Sequence, residues 1–148
     1  MMPARPSRCG RAELQMDRVE LYDLVHRGTP GDQAFYQEMC RDAARVLELG
    51  CGTGRILGGL LASERSVTGL DIDLDRLDVA RTTAPGSSLV LGDMGSFSIP
   101  ERFERILIPY NGLFALGSEG HILACLERVR VHLVPGGELC LDVYVVDD

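Results

Sequence analysis

The chain has 148 residues, and its 15 basic side chains against 22 acidic ones give a formal charge of −7. This length, with 45% apolar and 25% charged residues, predicts one globular domain and excludes a disordered or fibrous chain. The negative charge argues against a nucleic-acid partner, and the chain has no apolar run near the roughly 20 residues that span a bilayer.

The lysine and cysteine content excludes further kinds of site. All fifteen basic residues are arginines, which excludes sites that need a lysine, such as a Walker A loop or a pyridoxal Schiff base. The five cysteines are odd in number, widely spread and never arranged as CxxC, so neither a disulfide framework nor a zinc site is indicated. Together with the lack of an apolar leader, this predicts a cytoplasmic protein.

Residues 1–15 contain Pro3, Pro6 and Gly10 without apolar periodicity, so we predict a disordered arm, with the folded domain spanning 16–148. A transit peptide is the alternative for this arginine-rich start. A helical apolar pattern begins at Asp17 and is broken by the segment 28–31. Asp32 is then predicted to be the N-cap of a second helix that ends near Ala44.

From residue 45 onward, predicted strands alternate with predicted helices. The strands are 45–49, 66–71, 88–91, 105–108 and 138–146, and the helices between them are 55–62, 74–83 and 119–133. This alternation predicts an α/β fold, a Rossmann-like parallel sheet of about five strands with flanking helices. Ligands of such sheets bind outside the carboxyl ends of the strands, so the loops after the first four strands should share one crevice.

The glycine-rich turn after the first strand, Gly50-Cys51-Gly52-Thr53-Gly54, is the most informative segment. Because glycine allows positive φ and has no side chain, such a turn can present bare backbone N–H groups to a ligand. It departs from the dinucleotide fingerprint GxGxxG, since Arg55 stands where a glycine is expected one residue after Gly54. Glu48 lies just before the turn, and its carboxylate favours a cationic or zwitterionic ligand over a diphosphate.

The segments 47–54, 69–73 and 91–94 resemble motifs I, II and III of the class I S-adenosylmethionine-dependent methyltransferases, and 103–111 is similar to motif IV. The resemblance implies that Asp71 accepts hydrogen bonds from the ribose hydroxyls, that Asp93 receives the adenine amino group, and that Met94 packs on the adenine ring. The residues it implies for binding S-adenosyl-L-methionine are Tyr22, Glu48, Gly50, Cys51, Gly52, Gly54, Asp71, Ile72, Asp93, Met94 and Pro109.

Within that family, the segments 22–28 and 92–98 resemble the amino-sugar N,N-dimethyltransferases. This implies N-terminal helices that cover the cofactor, with Tyr22 near its methionyl end. Those enzymes carry a histidine shortly after strand four, where this chain has Ala115. The three histidines form no cluster in the sequence, so Tyr22, Tyr110 and Asn111 are the better candidates for positioning the methyl acceptor.

The predicted function is methyl transfer from S-adenosyl-L-methionine to a small-molecule amine or hydroxyl by in-line displacement. The alternatives are an inactive cofactor-binding scaffold and an NAD-dependent reductase. Compared with the family's fold, the chain is expected to lack the last two strands. Its fifth strand would then have an exposed apolar edge, which predicts a homo-oligomer through that edge.

Overall fold

The computed structural model describes residues 16–61 and 64–145, and the predicted N-terminal arm lies outside these residues. A five-stranded parallel sheet forms the centre of the fold. The helices are α1 (Arg18–Val25), α2 (Asp32–Met39), α3 (Arg55–Leu60), α4 (Leu74–Thr83) and α5 (Glu119–His132), and the strands are β1 (Arg45–Leu49), β2 (Ser66–Asp71), β3 (Ser88–Leu91), β4 (Phe103–Ile108) and β5 (Leu133–Leu141). No helix among the described residues is long and apolar enough to cross a membrane.

The strand order is β3-β2-β1-β4-β5, and every neighbouring pair is parallel. The predicted Rossmann-like parallel sheet is therefore confirmed. The order reverses at β1, since the chain moves from β1 outward to β3 on one side and then crosses to β4 on the other. Ligands of open α/β sheets bind at such a reversal, next to the carboxyl ends of the strands.

The core has two halves, one on each face of the sheet. On one face, α2, α3 and α4 pack over β1 and β2 through a buried cluster that includes Tyr36, Leu57 and Leu77. On the other face, α5 packs against a cluster that includes Leu47, Ile106 and Val129. Residues of β1 alternate between the two clusters, because successive side chains of a strand point to opposite faces.

Helix α1 starts with a capping box, in which Asp17 accepts from the backbone N–H groups of Val19 and Glu20 and the Glu20 side chain returns to the Asp17 backbone. The helix has no buried residue. Polar contacts rather than a packed apolar face hold it in place: Thr53 donates to Asp23 at 2.5 Å, and Arg18 pairs with Asp73 at 2.7 Å.

Three predicted boundaries are wrong. Asp32 is not an N-cap, because Gly31, with φ of 88°, occupies that position. Asp32 is the first helical residue, and its carboxylate accepts from the Thr29 N–H and pairs with Arg55. Helix α2 ends at Met39 instead of near residue 44.

The third boundary is that of β5, which runs from Leu133 to Leu141 instead of from 138 to 146. The predicted turn at 135–137 is a bulge inside the strand, since Phe103 pairs with Leu133 but Arg105 pairs with Glu138. A 3₁₀ helix, Gly112–Leu116, follows β4 and was not predicted.

Candidate functional site

A cavity of about 470 Å³ lies at the carboxyl ends of β1, β2 and β4. The four predicted loops meet there, as expected for a sheet with this order. All of the residues proposed from the sequence except Gly52 and Gly54 line it: Tyr22, Glu48, Gly50, Cys51, Asp71, Ile72, Asp93, Met94, Pro109, Tyr110 and Asn111.

The glycine turn folds back on its own neighbours. The N–H groups of Gly50 and Cys51 both donate to the Leu70 carbonyl, at 2.7 and 3.0 Å, and the Gly52 N–H donates to Asp71 at 2.7 Å. The expectation that the turn presents bare N–H groups is therefore wrong for these residues. The absence of a side chain at Gly50 leaves room for Met94, because an added Cβ would lie only 3.2 Å from the Met94 methyl group.

Gly52 and Gly54 contribute to packing behind the cavity. A Cβ on Gly52 would lie 2.6 Å from the Tyr22 hydroxyl, so the absence of a side chain lets α1 approach the turn. A Cβ on Gly54 would lie 3.1 Å from the Cβ of Ala80, so this glycine lets α3 pack closely on α4. Both residues have positive φ, which glycine adopts without strain.

Asp71 is buried at the end of β2, with 3% of its surface exposed. One carboxylate oxygen accepts from the Gly52 N–H at 2.7 Å and the other from the Asp73 N–H at 2.9 Å. Arg76 lies 3.9 Å away and balances the charge. Because a carboxylate has about four lone-pair positions, Asp71 can hold the turn in place and still accept hydrogen bonds from a ligand.

Glu48 is also 3% exposed, on the β1 face that carries α3. Its Oε2 is buried and has no hydrogen-bond partner among the described residues. Burial raises the pKa of Glu48 well above its usual value; the Arg55 guanidinium opposes this and the nearby Asp71 carboxylate adds to it. A buried acid without a full set of partners is costly unless a ligand supplies them.

Asp93 and Met94 form the opposite side of the cavity, in the turn after β3. One oxygen of Asp93 accepts from the Gly95 N–H at 2.6 Å, which holds the turn in shape. Met94 packs beside Gly50. A flexible thioether in this position suits contact with a flat apolar or aromatic group.

The corner after β4 is strained. Tyr110 and Asn111 are the two non-glycine residues with positive φ in the described chain, at 54° and 56°, a conformation that costs about 1–3 kcal/mol each. Asp142, which follows β5, accepts from the Tyr110 N–H at 2.6 Å and from the Tyr36 hydroxyl. The Asn111 side-chain oxygen accepts from the Tyr144 N–H at 2.6 Å. These contacts fix the corner beside the cavity.

Tyr22 covers the glycine turn from α1. The Arg76 guanidinium lies 3.9 Å from the centre of its ring, and this arginine also pairs with Asp73. Burial raises the pKa of Tyr22, so the hydroxyl stays protonated at neutral pH and can donate a hydrogen bond.

Several cavity residues were not predicted from the sequence, among them Arg76 and two histidines, His26 and His121. Arg76 contacts residues more than 50 positions away, and no spacing rule signals such a pair. The His26 ring stacks on Tyr22 with 4.0 Å between centroids and meets Tyr110 edge-on at 5.7 Å. The four-residue spacing of Tyr22 and His26 on a predicted helix was a usable signal for the first of these contacts.

Both arginines of the cavity wall are paired with carboxylates. Arg55 binds Asp32 through two hydrogen bonds of 2.7 and 2.9 Å, and Arg76 pairs with Asp71 and Asp73. The described wall therefore offers buried carboxylates and no unpaired cation. This arrangement favours a positively charged ligand over a polyphosphate.

Comparisons with known proteins agree with this geometry. A protein family described as a methyltransferase domain matches residues 46–137. The dTDP-3-amino-3,6-dideoxy-α-D-glucopyranose N,N-dimethyltransferase of Streptomyces fradiae is 32% identical over 140 residues, which cover 89% of this chain and 55% of that protein. A related dTDP-amino-sugar N,N-dimethyltransferase of Streptomyces venezuelae is 25% identical over 136 residues, covering 86% of this chain and 57% of that protein.

Among solved structures, the chain is similar to CalS10 with bound S-adenosylmethionine, an amino pentose methyltransferase from Micromonospora echinaspora. The TM-score is 0.73 at 28% identity, and the match covers 91% of this chain and 60% of that one. The chain belongs to the class I S-adenosylmethionine-dependent methyltransferase family. It spans a little over half the length of the curated relatives it matches.

Proposed function

We propose that this chain binds S-adenosyl-L-methionine in the cavity and takes part in transferring its methyl group to a small-molecule amine. The observation that carries the proposal is the buried Oε2 of Glu48, which lacks a partner in a cavity walled by carboxylates. An ammonium group is the ligand that such an oxygen lacks, because it brings both a positive charge and hydrogen-bond donors.

The residues present fit this cofactor along the whole cavity. Glu48 would accept from the methionyl ammonium group, and Asp71 would accept from the ribose hydroxyls while it braces the glycine turn. Asp93 and Met94 would hold the adenine. When bound, S-adenosyl-L-methionine supplies a methyl carbon on a sulfonium, which is already activated toward a nucleophile.

The chain's own contribution to the reaction is then mainly orientation of the acceptor. Tyr22, Tyr110 and Asn111 line the cavity next to the strained corner after β4, where hydrogen-bonding groups could fix the acceptor. The Asn111 side-chain oxygen is used by the Tyr144 backbone, so its amide N–H₂ group is the part left for a substrate.

An amine is the acceptor we favour over a hydroxyl. The two dTDP-amino-sugar relatives named above are N,N-dimethyltransferases, and the described residues of the cavity wall include no unpaired arginine that would attract an anionic group. Amines are mostly cationic at neutral pH, so the carboxylates of the cavity attract them. Family membership removes the support for the reductase alternative.

Calorimetric titration with S-adenosyl-L-methionine and S-adenosyl-L-homocysteine tests the cofactor part. Asp71→Asn should weaken binding by about 1.5 to 3 kcal/mol, roughly ten- to hundredfold in Kd, because it removes a charged acceptor and keeps the side-chain shape. Asp78→Asn is the matched control, since Asp78 lies on the exposed part of α4 and pairs with Arg81.

An unchanged Kd for Asp71→Asn would contradict the assignment, and tighter binding of NADH than of S-adenosyl-L-homocysteine would favour a reductase. The acceptor part is tested by transfer of a labelled methyl group to dTDP-3-amino-3,6-dideoxy-α-D-glucopyranose. Cofactor binding without any transfer to this or other small amines would support the non-catalytic scaffold instead.

A further inference from the structure

His26 has one ring nitrogen committed to the backbone. Its Nδ1 lies 3.0 Å from the Tyr22 carbonyl oxygen, which also accepts from the His26 backbone N–H at 2.8 Å. A carbonyl can only accept, so the hydrogen bond requires the proton on Nδ1. In the neutral ring, Nε2 then carries a free lone pair.

The position of the ring is fixed as well as its tautomer. His26 closes α1 as its C-cap residue, its ring stacks on Tyr22 at an interplanar angle of 16°, and Tyr110 contacts it edge-on. Among residues 16–61 and 64–145, none hydrogen-bonds Nε2. The imidazole is half-buried in the wall of the cavity, between the two tyrosines placed at its acceptor end.

The cavity needs a base at this end. A protonated amine has no lone pair, so it must lose a proton before it can attack a methyl carbon. The 3₁₀ helix that follows the strained corner, Gly112–Leu116, carries no titratable side chain. Tyr22 stays protonated, as shown above. Two histidines line the cavity. His26 lies between Tyr22 and Tyr110, whereas His121 is exposed on α5 beside the 93–95 turn, so His26 is the histidine at this end.

We propose that His26 is a catalytic residue that accepts a proton from the amine acceptor, an inference that rests on the proposed function. In this step the N–H bond of the acceptor's ammonium group breaks and an Nε2–H bond forms. The electron pair stays on the amine nitrogen, which becomes a neutral nucleophile, and the ring becomes an imidazolium that later releases its proton to water.

The charged groups of the cavity wall come mostly in arginine–carboxylate pairs. The titratable groups that face the cavity come from several elements: Tyr22 on α1, Glu48 on β1, Cys51 and Arg55 around the start of α3, Asp71 at the end of β2, Arg76 on α4, Asp93 after β3, Tyr110 after β4 and His121 on α5. Both arginines are paired with carboxylates, while Glu48 has an unpartnered oxygen. The described wall therefore places no unpaired cation beside His26.

The tautomer can be tested without turnover, by ¹⁵N NMR of the full chain with labelled histidine. His26→Asn identifies the His26 signals by their loss. We expect the proton on Nδ1 and a bare Nε2 at high pH, in the free chain and with S-adenosyl-L-homocysteine bound. A proton on Nε2 would overturn the proposal, because the base would then lack its lone pair.

Kinetics test the proton transfer itself. His26→Asn keeps an amide N–H₂ group near the position of Nδ1, and so keeps the backbone contact, but removes the base. With dTDP-3-amino-3,6-dideoxy-α-D-glucopyranose as the probe, kcat/KM at neutral pH should fall roughly hundredfold or more. The loss should shrink as the pH approaches the pKa of the amine itself, since the acceptor then arrives neutral. A loss that does not change with pH would indicate a structural role and overturn the proposal.

His121→Asn is the matched comparison. His121 also lines the cavity and also points Nδ1 at a backbone carbonyl, that of Leu116 at 3.3 Å, but it is exposed on α5 beside the 93–95 turn. Its substitution should lower kcat/KM less than His26→Asn does, and by a factor that does not change with pH. A larger loss for His121→Asn than for His26→Asn would assign the base to α5. The outcomes separate the two proposals. No binding of S-adenosyl-L-methionine to the unmutated chain, or binding without transfer to any small amine, rejects the proposed function. Transfer by the unmutated chain together with full transfer by His26→Asn rejects the role of His26 alone.

Discussion

Glu48 shows how one side chain links stability to binding. It lies in the middle of the sheet face, with an oxygen that no described residue satisfies, so the free protein pays a desolvation cost at this position. A raised pKa lowers that cost, because the protonated carboxyl group is neutral. A ligand with an ammonium group reverses the preference, since it stabilises the ionised form.

The pH dependence of stability follows from this shift. The pKa of Glu48 in the folded state is above its ordinary value of 4.5, so its stabilising contribution is full below about 4.5 and is lost as the pH rises through the folded pKa. Glu48→Gln should remove this loss, so its free energy of unfolding should fall less steeply with rising pH, by at most about 1.4 kcal/mol per pH unit.

Urea unfolding measured from pH 5 to 8 checks the slope, with Glu38→Gln on exposed α2 as the control. Parallel curves for the unmutated chain and Glu48→Gln would contradict the raised pKa. The same shift predicts that binding of S-adenosyl-L-methionine releases a proton from Glu48. Calorimetry in buffers with different heats of ionisation would detect that release, and Glu48→Gln should abolish it.

At the scale of elements, the packing of α3 on α4 depends on Gly54. Gly54→Ala would strain a residue with φ of 85° and also push its Cβ to 3.1 Å from Ala80. Gly86→Ala is a control for the strain alone, since Gly86 has φ of 101° and open space around it. Both variants should lose about 1–3 kcal/mol from strain, and Gly54→Ala should lose about 1–3 kcal/mol more from overpacking. Equal losses in the free energy of unfolding of the two variants, measured with urea, would show that α3 can move away from α4 without a measurable cost.

The elements also show what the sequence could and could not predict. The bounds of β1, β2, β3 and α4 agree with the predicted ones, because each is a short apolar or amphipathic run between clear breakers. The start of β5 was wrong because Leu133 continues the apolar stripe of α5, and a bulge at Gly136 replaces the expected turn. The apolar periodicity of the sequence does not distinguish the end of a helix from the start of a strand, or a bulge from a turn.

The residues of the site also divide into those that the sequence could predict and those that it could not. Residues next to the predicted strand ends, such as Glu48, Asp71 and Asp93, could be placed in one crevice by topology alone. Contacts between distant segments could not: Asp142 holds the corner at Tyr110 from 32 positions away, and the contact between His26 and Tyr110 depends on how α1 lies over the sheet. Such pairs require the packed structure.

At the scale of the whole molecule, helix α1 is attached with little apolar burial. It has no buried residue, and it meets the rest of the fold through Arg18, Tyr22, Asp23 and His26. Elements with few buried apolar contacts open at low free-energy cost. A cover of this kind suits a cavity that must exchange one ligand for another. Both proposed acceptor contacts of α1, Tyr22 and His26, lie on this helix, which polar contacts hold in place.

The outer edge of β5 leads to the last prediction, self-association. Strand β5 ends the sheet order, and no described strand pairs with its outer side, while Val143 and Val145 just beyond it are 39% and 80% exposed. Unpaired backbone groups beside apolar side chains favour pairing with another chain, so we expect this chain to form dimers or larger species through that edge.

Light scattering over a range of concentrations measures this association. The double variant V143K/V145K should weaken it, because lysines next to the end of a strand edge must lose water and repel each other when two edges meet. Leu91→Lys is the matched control, since Leu91 is 56% exposed at the end of β3, on the opposite edge of the sheet. A monomer at high concentration contradicts the prediction, and dissociation by Leu91→Lys alone would place the contact on β3.

If the edge pairs without blocking the cavity, the associated and dissociated forms should bind S-adenosyl-L-homocysteine with the same Kd, because the β5 edge and the carboxyl ends of β1 and β2 are separate parts of the sheet.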